Sequence, residues 1–296
     1  MNKLSKQLQA DLMLVLVTLC WGISYVLMDV ALVELDPFNL NAFRFVGAFI
    51  IALLIAFPRL KNVNKVTLRY SLYIGVALYF VYIGATYGVL YTSISNAGFL
   101  CALSVVFTPI LGFIFKGQRP DKKFLLVVII SVIGIGLLTL TDELKLAIGD
   151  VLCILCALAY AIDLLVTESA VSKEKVDAFQ LGVFQLGVTG FLCLITTFIL
   201  EEPTIPKSPK VYISVLFLMI FCTGLAFIIQ AIAQQYTTAS HVGVIFTLEP
   251  VFSGICAFFI AGEVLLPRAY IGAFLLVGSL FIMEIDFSFL KKKKTK

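Results

Sequence analysis

Apolar residues in this chain arrive in runs of about twenty, with the polar residues gathered between them. Ten runs can be placed: Ala10–Met28, Phe38–Phe57, Arg69–Tyr91, Ser95–Phe115, Phe124–Leu140, Gly149–Thr167, Ala178–Leu200, Val211–Gln235, His241–Ala261 and Ala269–Ile285. A helix of roughly twenty residues crosses the roughly 30 Å hydrocarbon core of a bilayer. Residue-by-residue alternation, the mark of a β-barrel strand, is missing from these runs. The gaps are short and carry Pro, Lys or Glu, too little chain for a soluble domain. The pattern predicts an all-α polytopic membrane protein with ten transmembrane helices.

The pattern also repeats. Tyr91–Gly117 aligns with Tyr236–Gly262 at an offset of 145, and ten of the twenty-seven positions are identical, Ser95/Ser240, Gly98/Gly243 and Leu103/Leu248 among them. Asp11 pairs with Asp150 and Asp29 with Glu168 at an offset of 139. Five helices per copy is an odd number, so the copies enter the membrane from opposite sides. Two inverted five-helix repeats are the expected build of a secondary transporter with its site near the midplane. The chain divides into 1–145, 146–290 and a basic tail, 291–296.

Loop charge orients this frame, because Lys and Arg beside the spans stay on the cytoplasmic side. With the N-terminus inside, seventeen of the 22 basic residues fall in the inner segments. Four (Lys145, Lys207, Lys210 and Arg268) fall in the outer loops, and Arg44 lies within a span. Both termini are therefore expected in the cytoplasm, with the chain multi-pass in the cell membrane. The net charge of +4 belongs to those loops and the tail and is no sign of nucleic-acid binding. A hydrophobic content of 61% and 14% charged residues exclude an ordinary soluble domain.

The seven cysteines all lie inside apolar runs and read as small buried hydrophobes. Cys153 and Cys156 form a CxxC within a helix, with no second pair or histidine beside it. No metal, cofactor or enzyme activity is expected. Without a phosphate-binding loop or a soluble domain, ATP cannot drive this chain directly.

Candidate chemistry is therefore intramembrane. Glu249 stands directly before Pro250 at about mid-depth of the ninth run. Pro250 has no N–H, so the carbonyl of Phe246 loses its helical partner. Ionisable groups at such depth face a bundle interior or a wet cavity. Glu249 reads as a wall of a solute pathway and a carrier of the coupling proton, or as a buried carboxyl bonding a neighbouring helix. Arg44 binds an anionic group of the substrate, snorkels to the headgroups, or pairs with Asp36 or another helix. Asp163 shares a helical face with Tyr160 and Thr167, and is either a site carboxylate or a structural one. Gln230 and Gln234 share a face of the eighth run and suit interhelical bonding or a polar solute. Trp21 lies mid-span, and Tyr79 and Tyr82, three residues apart and expected on one face, lie too deep for interface anchors; these aromatics suit a flat organic solute or packing against neighbouring helices. Pro109 and Pro250 are expected to break their helices at different depths, since Pro109 aligns with Gly254. Gly84 and Gly88 form a small-xxx-small pair for close helix contact.

The motifs WGISY at Trp21–Tyr25, RF at Arg44–Phe45, FTP at Phe107–Pro109 with GQRP at Gly117–Pro120, LEPV at Leu248–Val251 and AGE at Ala261–Glu263 resemble the EamA-type drug/metabolite transporter superfamily. The resemblance runs through nearly the whole chain, with both five-helix units EamA-like. It implies a cavity lined by the first, third, fourth, sixth, eighth and ninth helices, and outward movement of small metabolites such as amino acids. Gln118 stands where many relatives carry the glutamate seen here at Glu263. The expected partners are a small organic solute and the lipid bilayer, and the expected state is a monomer or weak homodimer. The competing expectation is a non-transporting scaffold or sensor that keeps the same frame.

Overall fold

The computed structural model describes residues 5–91, 100–139, 147–256, 258–259 and 266–284. Ser95, Gly98, the AGE motif at Ala261–Glu263, the division at 145/146 and the basic tail lie outside the described residues. Within them, the backbone forms α1 Lys6–Ala31, α2 Pro37–Leu60, α3 Lys65–Tyr91, α4 Ser104–Lys116 and α5 Lys122–Thr139. It continues as α6 Ile148–Val171, α7 Ala178–Leu200, α8 Pro209–Ala233, α9 Ala239–Cys256 and α10 Pro267–Glu284. No strand occurs among the described residues, and seven of these helices (α1–α3 and α6–α9) are long and apolar enough to cross a membrane.

Local sequence sets the helix ends. The side chains of Ser5, Asp177, Ser208 and Thr238 accept from the backbone N–H three residues on, which satisfies donors with no intrahelical partner. Pro37 and Pro209 occupy first-turn positions, where a missing N–H costs nothing. Gly117 ends α4 at φ 66°, a left-handed conformation that glycine adopts without a Cβ clash.

Small residues let the helices pack closely. A Cβ on Gly84 would lie 2.7 Å from both the Leu152 carbonyl oxygen and the Cys156 Cβ, where α3 crosses α6. On Gly190 it would meet the Val46 backbone nitrogen at 2.6 Å, where α7 crosses α2. On Gly22 it would lie 2.8 Å from the Ser253 nitrogen, joining α1 to α9. On Gly134 it would meet the Gly272 carbonyl oxygen at 3.0 Å, and Ser131 and Ser279 hydroxyls bond at 3.0 Å across the same α5–α10 contact. The main buried cluster lies between α1, α2, α3, α6, α8 and α9, while large apolar side chains such as Leu54, Phe198 and Phe274 face outward.

Four helices depart from a regular course, α2 among them at Ala56, two residues before Pro58, where φ is −113° and ψ is 20°. In α9 a two-residue turn at Thr247–Leu248 separates Ala239–Phe246 from Glu249–Cys256, immediately before Pro250. In the α4 segment a turn falls at Leu103, and Pro109 then sits inside an unbroken helix. Pro109 is thus not a helix break, contrary to expectation: its missing N–H costs one bond without displacing the turn at Leu103. Since Leu103 aligns with Leu248, the two interruptions fall at matching positions of the repeat rather than at different depths. The departure in α8 had no forewarning: Leu218–Leu225 widens into a π-helical stretch.

Candidate functional site

The carboxyl-terminal half of α1 presents Trp21, Ser24, Tyr25 and Met28 on one face, at the three- and four-residue spacing of a helix. That face closes against α2, α3, α6, α8, α9 and the Leu100–Lys116 segment around a cavity of about 110 Å³. The space is several times what one water molecule requires. Trp21 is its aromatic centre, with ring centroids 4.8 Å from Phe246, 5.5 Å from Phe227 and 6.0 Å from Tyr160. The indole N–H donates to the Cys222 carbonyl at 2.9 Å. Cys222 lies in the π-helical stretch, and such bulges open backbone positions that a regular helix keeps to itself.

One basic and one acidic side chain reach the lining, each from a different half of the chain. Arg44 on α2 is 1% exposed. Its Nε donates to Thr223 Oγ1 at 3.1 Å, one terminal nitrogen to Met28 Sδ at 3.2 Å and the other to the Tyr82 hydroxyl at 3.3 Å. The guanidinium also lies over the Tyr82 ring, 4.9 Å from its centroid. No carboxylate forms an ion pair with Arg44 among the described residues. The side chain turns inward to neutral partners on α1, α3 and α8, which sets aside the snorkelling and Asp36 readings and leaves bonding to another helix beside the anion-contact reading. Glu249 opens the second half of α9 and lines the cavity beside Pro250, with Tyr25 of α1 in the same wall.

The remaining sequence candidates divide. Trp21, Tyr82 and Tyr160 join Arg44, Glu249 and Pro250 in the lining. Tyr79 does not: its hydroxyl bonds Thr196 at 2.6 Å, where α3 meets α7, and its ring stacks on Phe38. Three residues turn a helix by about 300°, so Tyr79 and Tyr82 lie on neighbouring but different stripes. Gln230 and Gln234 also lie behind the lining. Tyr160 donates to Gln230 Oε1 at 3.1 Å, Gln230 donates to Gln234 Oε1 at 3.4 Å, and Gln234 donates to the Leu164 carbonyl at 3.0 Å. Asp163 is fully buried off the lining, and neither carboxyl oxygen has a hydrogen-bond partner among the described residues. Sequence reasoning missed Tyr25, Met28, Phe227 and Phe246. For Tyr25 and Met28 the signal was available, as the face that Trp21 and Ser24 define.

Polar contacts seal the bundle at the end that carries the α1 amino terminus. Glu168 on α6 accepts from the Ala239 N–H at 3.1 Å and pairs with Lys116, whose Nζ also reaches the Leu165 carbonyl at 3.1 Å. His241 Nε2 lies 3.3 Å from Asp11 Oδ1, tying α9 to α1. Asp29, the repeat partner of Glu168, is exposed at the other end. There the loops are held by Glu201, which accepts from the Phe38 and Asn39 N–H groups at 3.0 and 2.8 Å, and by Glu34. The Lys207 N–H at 2.7 Å, with Ser208 beside it, holds the Glu34 carboxyl below its ordinary range.

With this geometry in hand, comparison with known proteins is consistent. The profile described as the EamA-like transporter family matches twice, over residues 8–140 and 147–285. A protein of Archaeoglobus fulgidus named an uncharacterized transporter is 30% identical over 282 residues, 95% of this chain and 87% of that protein. The uncharacterized transporter YoaV of Bacillus subtilis is 20% identical, over 92% of this chain and 95% of its own. A solved crystal structure shares the fold with a TM-score of 0.78 at 17% identity, covering 97% of this chain and 99% of that one.

Proposed function

The chain belongs to the EamA-like transporter family, and from that premise we propose a secondary active transporter that exports small organic metabolites, amino acids or related compounds, by alternating access. Ten membrane-crossing helices form two inverted five-helix repeats, with both termini in the cytoplasm and the protein in the cell membrane as a monomer or weak homodimer. The observation that carries this reading is the cavity itself: an aromatic chamber at the repeat interface, with Arg44 from one repeat and Glu249 from the other in its wall.

The packing supports the inverted-repeat description. Exchanging the two halves maps α2 on α7 and α5 on α10 onto themselves, and α3 on α6 onto α8 on α1, all of them contacts present in the fold. The matching turns at Leu103 and Leu248 agree with the same exchange. The orientation rests on the excess of basic residues in the segments assigned to the inside. Glu249 is the coupling carboxyl, because it lines the cavity and forms no ion pair among the described residues.

The test is flux in proteoliposomes holding the purified protein, against a panel of amino acids, nucleobases and amines under an imposed pH gradient. The expected result is proton-dependent movement of at least one class, with Glu249→Gln retaining exchange and losing the response to the gradient. A full panel without flux refutes the carrier reading, and unchanged coupling in Glu249→Gln refutes only the role of that carboxyl.

A further inference from the structure

We propose that the transported solute carries a carboxylate that docks on the edge formed by the two terminal nitrogens of Arg44, and that Thr223 is the residue that holds this edge towards the cavity. The inference rests on the transporter reading above and names the solute chemistry of the same site.

Three observations meet at Arg44. The first is the division of its donors. Nε is held by Thr223, which is fully buried and off the cavity lining, whereas both terminal nitrogens contact residues of the lining, Met28 and Tyr82. A carboxylate binds a guanidinium best through two parallel N–H bonds to one edge of the fork. The edge turned to the cavity offers that geometry.

The second is the quality of the existing partners. A thioether is a weak acceptor, and methionine is a flexible chain that moves aside easily. Met28 and the Tyr82 hydroxyl therefore keep the terminal nitrogens bonded in an empty site without competing strongly with an oxyanion. The third is charge. Arginine keeps its proton in proteins, and a buried ion without a counter-ion is costly. Arg44 is buried without an ion-pair partner among the described residues, so an incoming carboxylate supplies the missing charge.

Thr223 acts through Arg44. It sits in the π-helical stretch of α8, one residue after the carbonyl that holds Trp21, so the same distortion sets the cation and the aromatic centre. Removing its hydroxyl frees Nε and lets the fork rotate out of register. The loss falls on recognition of the carboxylate, not on the movement of the halves.

The experiment uses the full chain in proteoliposomes and in detergent. The probes are the twenty L-amino acids, phenylacetate, and the carboxamides of leucine, phenylalanine and methionine. Binding is read from the fluorescence of Trp21, the only tryptophan in the chain, and transport is read separately as flux. Carboxylates are expected to bind at least about tenfold tighter than their carboxamides, the scale of one charge-assisted hydrogen bond. Thr223→Val should raise KM about tenfold for carboxylates while leaving maximal flux and carboxamide binding unchanged, and Thr223→Ser should restore KM. Arg44→Gln should abolish the preference for carboxylates. Carboxamides that bind as well as the acids, an unchanged KM in Thr223→Val, or no binding by any carboxylate would each overturn the proposal. Flux of other solutes in those cases leaves the transporter reading standing. Carboxylate binding without flux of any carboxylate overturns the claim that the transported solute is an acid, and only an absence of flux across the nucleobases and amines as well refutes the transporter reading.

Discussion

Replacing Trp21 by Phe removes the indole N–H while keeping a ring among Tyr160, Phe227 and Phe246. Two losses add. The bond to the Cys222 carbonyl connects two buried residues, and a bond of this kind contributes about 1 kcal/mol net, more when its partner is left poorly satisfied. The smaller ring also gives up two or three buried carbon-sized groups at about 0.8 kcal/mol each, part of which the neighbours recover by closing in. The expected cost is about 2–3 kcal/mol. Tyr79→Phe is the matched control. It also removes one interhelical hydrogen bond, that to Thr196, but from a partly exposed ring outside the cavity wall, and should cost less than about 1 kcal/mol. The assay is reversible unfolding in mixed micelles followed by circular dichroism, since Trp21→Phe has no tryptophan left to report. A Trp21→Phe cost below about 0.5 kcal/mol, or one no larger than that of Tyr79→Phe, refutes the view that Trp21 ties α1 to α6, α8 and α9.

The helix contacts make a paired prediction. Gly190→Ala places a Cβ 2.6 Å from the Val46 nitrogen and 2.9 Å from the Phe45 carbonyl carbon, backbone atoms that cannot give way, and should destabilise by about 1–3 kcal/mol. Gly278→Ala meets nothing within 4 Å and should be neutral or stabilising by up to about 1 kcal/mol, from helix propensity. Equal effects in the same unfolding assay would show that α2 and α7 are not in the close contact described. At the sealed end of the bundle, Glu168→Gln should weaken the hold on Lys116 and on the start of α9 together, and raise hydrogen exchange at the Ala239 amide. Unchanged exchange there would remove Glu168 as a tie. For Glu34, the lowered carboxyl favours the folded state above the ordinary carboxylate range, and that contribution fades as pH falls through its folded value. The difference in melting temperature between wild type and Glu34→Gln should therefore shrink from pH 7 towards pH 3. A constant difference contradicts the assignment.

Much of this arrangement was legible because a membrane helix leaves its sequence few choices. The apolar runs placed the helices, while the ends themselves are set by residues not read from the sequence, the caps Asp177 and Thr238, the proline at Pro209 and the glycine at Gly117. Gly84 and Gly88 gave away the close contact of α3 with its neighbour, though not that the neighbour is α6. Pro250 located the turn of α9, because a missing N–H acts locally. Pro109 misled for the same reason read backwards: proline removes a bond but does not decide where a helix turns, and the turn lies at Leu103 instead. Arg44 could not be placed from its position about six residues into a span, since a long flexible side chain reaches headgroups or interior equally well. Its inward course depends on Thr223 and Met28, which are distant or inconspicuous in the chain. The π-helical stretch left no trace in the apolar run LMIFCTGL, because it widens a helix without needing any particular residue. Gln230 and Gln234 illustrate the remaining ambiguity. An amide that suits a solute suits a neighbouring helix as well, and here both are taken up by Tyr160 and the Leu164 carbonyl.

Alternating access requires one cavity to open to each side of the membrane in turn. Cys101 is a native residue of the cavity lining. In a variant with the other six cysteines replaced, its labelling by a membrane-impermeant thiol reagent can be measured from either face of oriented vesicles. The account predicts labelling from both faces, with transported solute shifting the balance between them. Labelling confined to one face, unmoved by any solute that crosses the membrane, would contradict it.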